Sequence, residues 1–230
     1  ACASFMEAFD STAIVQVLPQ MGRDFSVSPV ELSLGLTAYL LTMAVLTPMS
    51  GWLADRFGTR TVFCITVALF GVASALCGMS SGETQFVTAR ILQGCGAGFM
   101  ISVGRIAALP VTARQDLVRI VNLMATPGLL GTVLGPPLGG LIGEYASWRW
   151  IFFVNLPIAA IGVTLGMLFM PARRTPQPRV FDRIGLLLNG AALFCLIYGM
   201  DRIAARDGDV LHGAILAGLG LAIGVVAVRH

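Results

Sequence analysis

Long apolar runs dominate this chain and leave few architectures open to it. Eight of them, each about twenty residues long, follow one another across 230 residues with short connections between. A run of that length crosses the hydrocarbon core of a bilayer. Each must be a helix, because a backbone facing lipid has to satisfy its own hydrogen bonds. A barrel of strands would need alternating segments of about ten residues, and these runs do not alternate. Only 12% of the residues are charged, where a soluble domain carries about one quarter. The sequence therefore predicts an all-α membrane protein.

The spans are expected at about 1–20, 32–53, 61–79, 84–105, 117–142, 150–170, 183–200 and 211–229. Residues 1–170 would form a six-helix bundle, 171–182 a Pro- and Arg-rich cytoplasmic linker, and 183–230 two additional transmembrane helices. Both ends of the chain fall inside apolar runs, so it reads as a piece of a longer protein. Arginine sets the orientation. One set of connections holds Arg56, Arg60, Arg105, Arg114, Arg119, Arg173, Arg174, Arg179 and Arg183, and the opposite set holds Arg23, Arg149, Arg202 and Arg206. The richer set, including 54–60, is expected in the cytoplasm.

"PMSGWLADRFGTR" at 48–60 packs Asp55, Arg56 and Arg60 between two apolar runs. Shifted by 89 residues, it meets a fainter copy, "PLGGLIGEYASWR" at 137–149, with Pro48 on Pro137, Asp55 on Glu144 and Arg60 on Arg149. The shift covers three spans, an odd number, so the second copy is turned over in the membrane. Inverted three-helix repeats are a common build of secondary transporters. The plainer account is that any connection between helices collects charge and glycine.

Two ionisable sites lie within spans. Glu7 and Asp10 are three apart on one helical face. A carboxylate at that depth costs about 2.5–3.5 kcal/mol even on insertion scales, so it should face a bundle interior or wet cavity. Low dielectric favours its neutral form, which suits a group that loads and releases a proton. The alternative is a carboxyl bonded to backbone as a packing element. Arg90 lies inside the fourth span with Gln93 one turn on. It needs an anionic or carbonyl partner, for which Asp10, Glu7 or a substrate would serve. The alternative is a guanidinium reaching back to the interface. Gly131, Gly135 and Gly139 recur every four residues and open one face of the fifth span to close helix packing. Pro136 and Pro137 are expected to kink it. Gly58 permits a sharp turn beside Asp55.

These stretches resemble the major facilitator superfamily, in particular its fourteen-span drug:proton antiporter branch. "GWLADRFGTR" at 51–60 is similar to the loop signature between the second and third spans, and "RILQG" at 90–94 to the fourth-span R-x-x-Q-G motif. "GTVLGPPLGG" at 131–140 resembles the fifth-span antiporter motif, "DSTAIVQVLP" at 10–19 the first-span Asp motif, and "WRWIFFVNLP" at 148–157 the entry to the sixth span. Gln16 and Val17 depart from the Asn and Ala usual in the first-span motif, and Thr59 stands where a basic residue is common. The resemblance implies the N-terminal six-helix half of a major facilitator fold, a 3+3 inverted repeat, plus two extra helices. The C-terminal half would be absent.

By that resemblance Asp10, Glu7 and Arg90 are expected in proton coupling, and Gln16, Gln93 and Asn122 along the substrate path. Gly51, Asp55, Arg56, Gly58 and Arg60 would form a latch between halves. Gly131, Gly135, Pro136, Gly139 and Gly140 would set antiport geometry. The implied activity is efflux of lipophilic, drug-like compounds by alternating access in a bacterial inner membrane. The implied partners are protons, the bilayer and the missing half. A dedicated exporter or importer of one metabolite or siderophore, and a non-transporting sensor or scaffold, remain rival readings. No cofactor, metal site, nucleic-acid partner or enzymatic constellation is expected.

Overall fold

A computed structural model describes residues 1–108, 114–170, 182–204 and 210–229. The expected linker 171–182 therefore lies, but for Asp182, outside the described residues. Ten α-helices run through the described chain: α1 (Cys2–Phe25), α2 (Pro29–Leu46), α3 (Ser50–Phe57), α4 (Thr59–Met79), α5 (Glu83–Ala108), α6 (Leu117–Tyr145), α7 (Trp150–Phe153), α8 (Asn155–Phe169), α9 (Arg183–Ala204) and α10 (Val210–Arg229). No strand occurs among the described residues. Six helical stretches are long and apolar enough to cross a membrane: Glu31–Phe57, Thr59–Met79, Glu83–Ala108, Val118–Tyr145, Trp150–Phe169 and Val210–Ala227. α1 is long enough, but it carries Glu7, Asp10, Arg23 and Asp24. In α9 the apolar stretch is shorter, Ile184–Met200.

Local chemistry sets the boundaries. Ser26 closes α1 in the left-handed region, and Ser28 opens α2 with a capping box in which Ser28 and Glu31 satisfy each other's backbone N–H. Pro48 cannot donate to a helical ladder. The chain there tightens into a 3-10 turn, Thr47–Met49, and resumes as α3. The charged knot is thus not the loop the sequence suggested. Asp55 and Arg56 occupy the last helical turn, and the break narrows to Gly58, at φ 88° and ψ 139°. A residue with a side chain is strained there. α6 runs as one helix through Pro127, Pro136 and Pro137.

Packing follows the internal repeat. α1 lies against α6 and α2 against α5, which are the same pair once three spans are exchanged for the other three, while α4 packs on both α5 and α8. The shift of 89 residues carries over to single contacts. A β-carbon on Gly131 would sit 2.7 Å from the Phe5 carbonyl oxygen, and one on Gly94 would sit 3.0 Å from Thr42 Cβ. Under the shift Phe5 becomes Gly94 and Thr42 becomes Gly131. Between apolar helices in lipid, such close approach replaces the hydrophobic effect as the source of cohesion. Gly131, Gly135, Gly139 and also Gly143 are buried against α1. Gly140, also in the expected motif, is exposed, with nothing within 4 Å of its missing side chain. One residue along a helix is about 100° of rotation, so it points away from the seam.

The inner faces carry the core. Phe9, Ile14, Val17 and Met21 of α1 meet Leu32, Phe86, Trp148 and Phe152, with Trp148 edge-on to both Phe25 and Phe152. The outer faces keep large apolar side chains exposed, among them Ile65, Val72, Val118, Val133 and Leu187. A soluble monomer rarely shows so much; a lipid-facing bundle must. The α9–α10 hairpin packs mainly on itself, with α9 also touching α2 near Gly190 and Val45.

Candidate functional site: a buried ion pair across four helices

Arg90 and Asp10 have no solvent-exposed surface, and their side chains meet, Nη1 to Oδ2, at 2.5 Å. Two buried charges cannot persist in such a place unless they are paired and hydrogen-bonded. Gln93 completes a triangle. Its Oε1 accepts from Arg90 Nη1 at 2.6 Å and its Nε2 donates to Asp10 Oδ1 at 2.9 Å. Arg90 and Gln93 share a face because they are three apart on α5, and that face meets α1. The rest of the guanidinium lies among rings, 4.6 Å from the Tyr39 centroid and 5.8 Å from those of Phe86 and Phe152. Faces of aromatic rings are attractive to a desolvated cation. Gly35 on α2 gives the Phe86 and Arg90 side chains their room.

Asn155, at the start of α8, extends the network. Its Nδ2 donates to Asp10 Oδ1 at 3.3 Å and to Ser74 Oγ on α4 at 3.0 Å. Ser74 in turn donates to the Phe152 carbonyl at 2.9 Å. Cys77, also on α4, donates its thiol to Gln93 Oε1 at 3.5 Å. Asp10 of α1 is thereby tied to α4, α5 and α8 by side chains alone. Among the described residues, Tyr39 Oη, Arg90 Nε, Arg90 Nη2 and Asn155 Oδ1 are buried without a hydrogen-bond partner. Asn155 and Ser74 were not singled out from the sequence. Asn155 stood in a quoted motif, but a neutral amide carries no burial penalty large enough to announce itself.

The remaining expected site residues fall elsewhere. Glu7 is half-buried one turn before Asp10, and its carbonyl accepts from Ser11. Gln16 on α1 and Asn122 on α6 are exposed and outside the ion-pair network; Thr126 donates to the Asn122 carbonyl. Gly51, Asp55 and Arg56 lie along α3, Gly58 ends it and Arg60 is in the first turn of α4; Arg56 lies over the rings of Trp52 and Phe57 at 5.5 and 5.8 Å. Pro136 is half-buried on α6 beside the glycine seam.

At the opposite end of α4 a second cluster forms around the echo motif. Asp24 accepts from Trp148 Nε1 at 2.8 Å and from Arg149 Nη1 at 3.2 Å, while Arg149 Nη2 donates to the Ser80 carbonyl at 3.4 Å. The Trp148 hydrogen bond first, and then Arg149, hold the Asp24 carboxyl below its ordinary value of 3.8. It ties the C-terminal end of α1 to α4 and to the segment leading into α7.

A bundle built as an inverted three-helix repeat, with an ion pair sealed inside its spans, is half of a secondary transporter. The chain belongs to the Major Facilitator Superfamily, whose family model matches residues 1–228. That is a family of transporters, not enzymes. The chain is 38% identical over 223 residues to MdtD of Escherichia coli strain HS, named for multidrug resistance, and to its counterpart in Shigella boydii. The match covers 97% of this chain and 46% of the relative, so the chain spans about half the length of those proteins. Among solved structures it is similar to a D-xylose–proton symporter (TM-score 0.64, 15% identity, 99% of this chain and 64% of that one). It is also similar to the human organic anion transporter MFSD10 (TM-score 0.61, 17% identity, 96% and 59%). At such identities these structures establish the fold alone.

Proposed function

We propose that this chain is the N-terminal portion of a proton-coupled exporter that moves lipophilic, drug-like compounds out of the cell by alternating access. The observation that carries the reading is the buried Asp10–Arg90 pair with Gln93 and Asn155 around it. A carboxylate and a guanidinium inside spans are expensive, and such groups mark ion and proton pathways. The relatives named for multidrug resistance support the cargo class. Asp10 would carry the proton, with Glu7 adjoining. Arg90 would hold the charged form of Asp10 until a proton arrives. Gln16 and Asn122, exposed on α1 and α6, would line the substrate path against the second half. The Asp55 motif would latch the two halves at the cytoplasmic face of a bacterial inner membrane.

The test uses the complete protein in proteoliposomes with an imposed pH gradient and a fluorescent lipophilic cation as cargo. Asp10→Asn is expected to abolish gradient-driven flux. Unchanged flux would remove Asp10 from the mechanism. Absence of flux in the wild-type protein with any cargo would favour the sensor reading.

A further inference from the structure

Asp10 is surrounded by donors. Oδ2 faces Arg90 Nη1, and Oδ1 faces Gln93 Nε2 and Asn155 Nδ2. That arrangement suits a carboxylate, which only accepts. A protonated Asp10 would carry a new O–H and would need an acceptor in the same space. Arg90 has none to give. Gln93 Oε1 is already engaged by Arg90 Nη1 and the Cys77 thiol, and turning that amide would strip Arg90 of a bond. Asn155 differs: its Oδ1 is buried and, among the described residues, has no partner. A half-turn of the amide places that oxygen where Nδ2 now sits, against both Asp10 Oδ1 and Ser74 Oγ, and moves Nδ2 to the place of the unpartnered oxygen, so the turn exchanges one unpaired amide atom for the other. Ser74 can follow, because a hydroxyl donates or accepts by rotation. It would release the Phe152 carbonyl and donate to Asn155 instead.

Resting on the proton-coupling reading above, we infer that Asn155 is a positioning residue for the proton step: its amide turns, with Ser74, to accept from Asp10 when Asp10 is protonated. The proton itself comes from the aqueous phase and resides on an Asp10 oxygen; no other bond is made or broken. In the ionised state Asn155 donates to Asp10. In the neutral state it accepts, and Arg90 keeps Gln93 and the rings of Tyr39, Phe86 and Phe152. The ionisable groups facing Asp10 are Glu7 on its own helix, Tyr39 from α2, Cys77 from α4 and Arg90 from α5. α8 offers the neutral amide of Asn155, and α7 offers Phe152. The device also links protonation to α8, because Asn155 is that helix's first residue.

The carbonyl stretch of a protonated carboxyl reads this directly, since the band moves to higher wavenumber as hydrogen bonds to the group are lost. Infrared difference spectra of the complete protein between alkaline and acid buffer should show a band that Asp10→Asn removes. Asn155→Leu, close in volume, should shift that band to higher wavenumber, and Asn155→Ser, which keeps a group able to accept, should return it toward the wild-type position. Ser74→Ala should move it part of the way. An unmoved band in Asn155→Leu, or in Ser74→Ala should the first variant not fold, overturns the amide switch while leaving proton coupling intact. If Asp10→Asn removes no band at all, proton coupling at Asp10 fails and the switch fails with it.

Discussion

Arg90 is held from three directions: by Asp10, by Gln93 and by a box of aromatic rings. Removing a buried charge's partner is costlier than removing the pair, because the survivor stays desolvated and uncompensated. Arg90→Met should therefore destabilise the protein by about 3–5 kcal/mol. Adding Asp10→Asn to Arg90→Met should recover part of that loss, since the orphaned carboxylate is gone. Thermal unfolding in detergent across the four-member cycle measures it, and strictly additive losses would mean the pair is not coupled. Asp24 behaves differently because it is half-exposed and lies beyond the span. Its folded-state value is lowered by Trp148 and Arg149. Its contribution is present above the ordinary value of 3.8 and fades as pH falls through the lower folded value. The melting difference between wild type and Asp24→Asn should be constant from neutral pH down to that window and shrink below it. A difference that grew on acidification would refute the assignment.

At the scale of elements, glycine placement decides how closely α1 and α6 approach. A β-carbon at Gly139 would lie 2.6 Å from the Ala13 carbonyl oxygen, and backbone cannot step aside as a flexible side chain can. Gly139→Val should cost about 1–3 kcal/mol by overpacking. Gly140→Val, one residue on and facing outward, should cost nothing and should gain the propensity difference of about half a kcal/mol or less, because valine is the better helix former. Melting temperatures of the two variants compare them directly, and equal losses would argue against the seam. The four-residue spacing made Gly131, Gly135 and Gly139 legible in the sequence, because a repeat near the helical period marks one face. Gly140 was read with them only through a motif, which ignores rotation. Asp10 and Arg90 were legible for the opposite reason, since charge inside an apolar run needs an explanation. Asn155 and Ser74 were not. Neutral polar residues in helices commonly satisfy themselves on a carbonyl one turn back, as Thr42, Thr66 and Thr164 do here. Nothing in the letters separates those from a side chain that reaches across to another helix. Likewise the charges at 55–60 were visible, but whether they end a helix or fill a loop depended on Gly58 alone.

The first six spans, α1 to α8, form a repeat that closes on itself, with the α9–α10 hairpin beside it. Exchanging its two three-span units maps the α1–α6 seam onto the α2–α5 seam, so the bundle balances the same glycine-mediated contacts about an internal axis. That closure explains why the ion pair is sealed: Asp10 and Arg90 sit where the two units meet, away from every outer face. Alternating access, by contrast, needs two bodies that rock against each other around a site between them. The chain spans about half the length of its relatives, as the 46% coverage of MdtD shows, and in the proposed cycle would supply one such body. Expressed alone and reconstituted with an imposed pH gradient, residues 1–230 should therefore give no gradient-driven flux of a lipophilic cation. Co-expression with the remaining half of the complete protein should restore it. The control is Asp10→Asn in the co-expressed pair, which should return flux to the level of the chain alone. Gradient-driven flux from residues 1–230 alone would mean that a single inverted repeat can alternate its own access, and that the sealed pair opens within one bundle rather than between two.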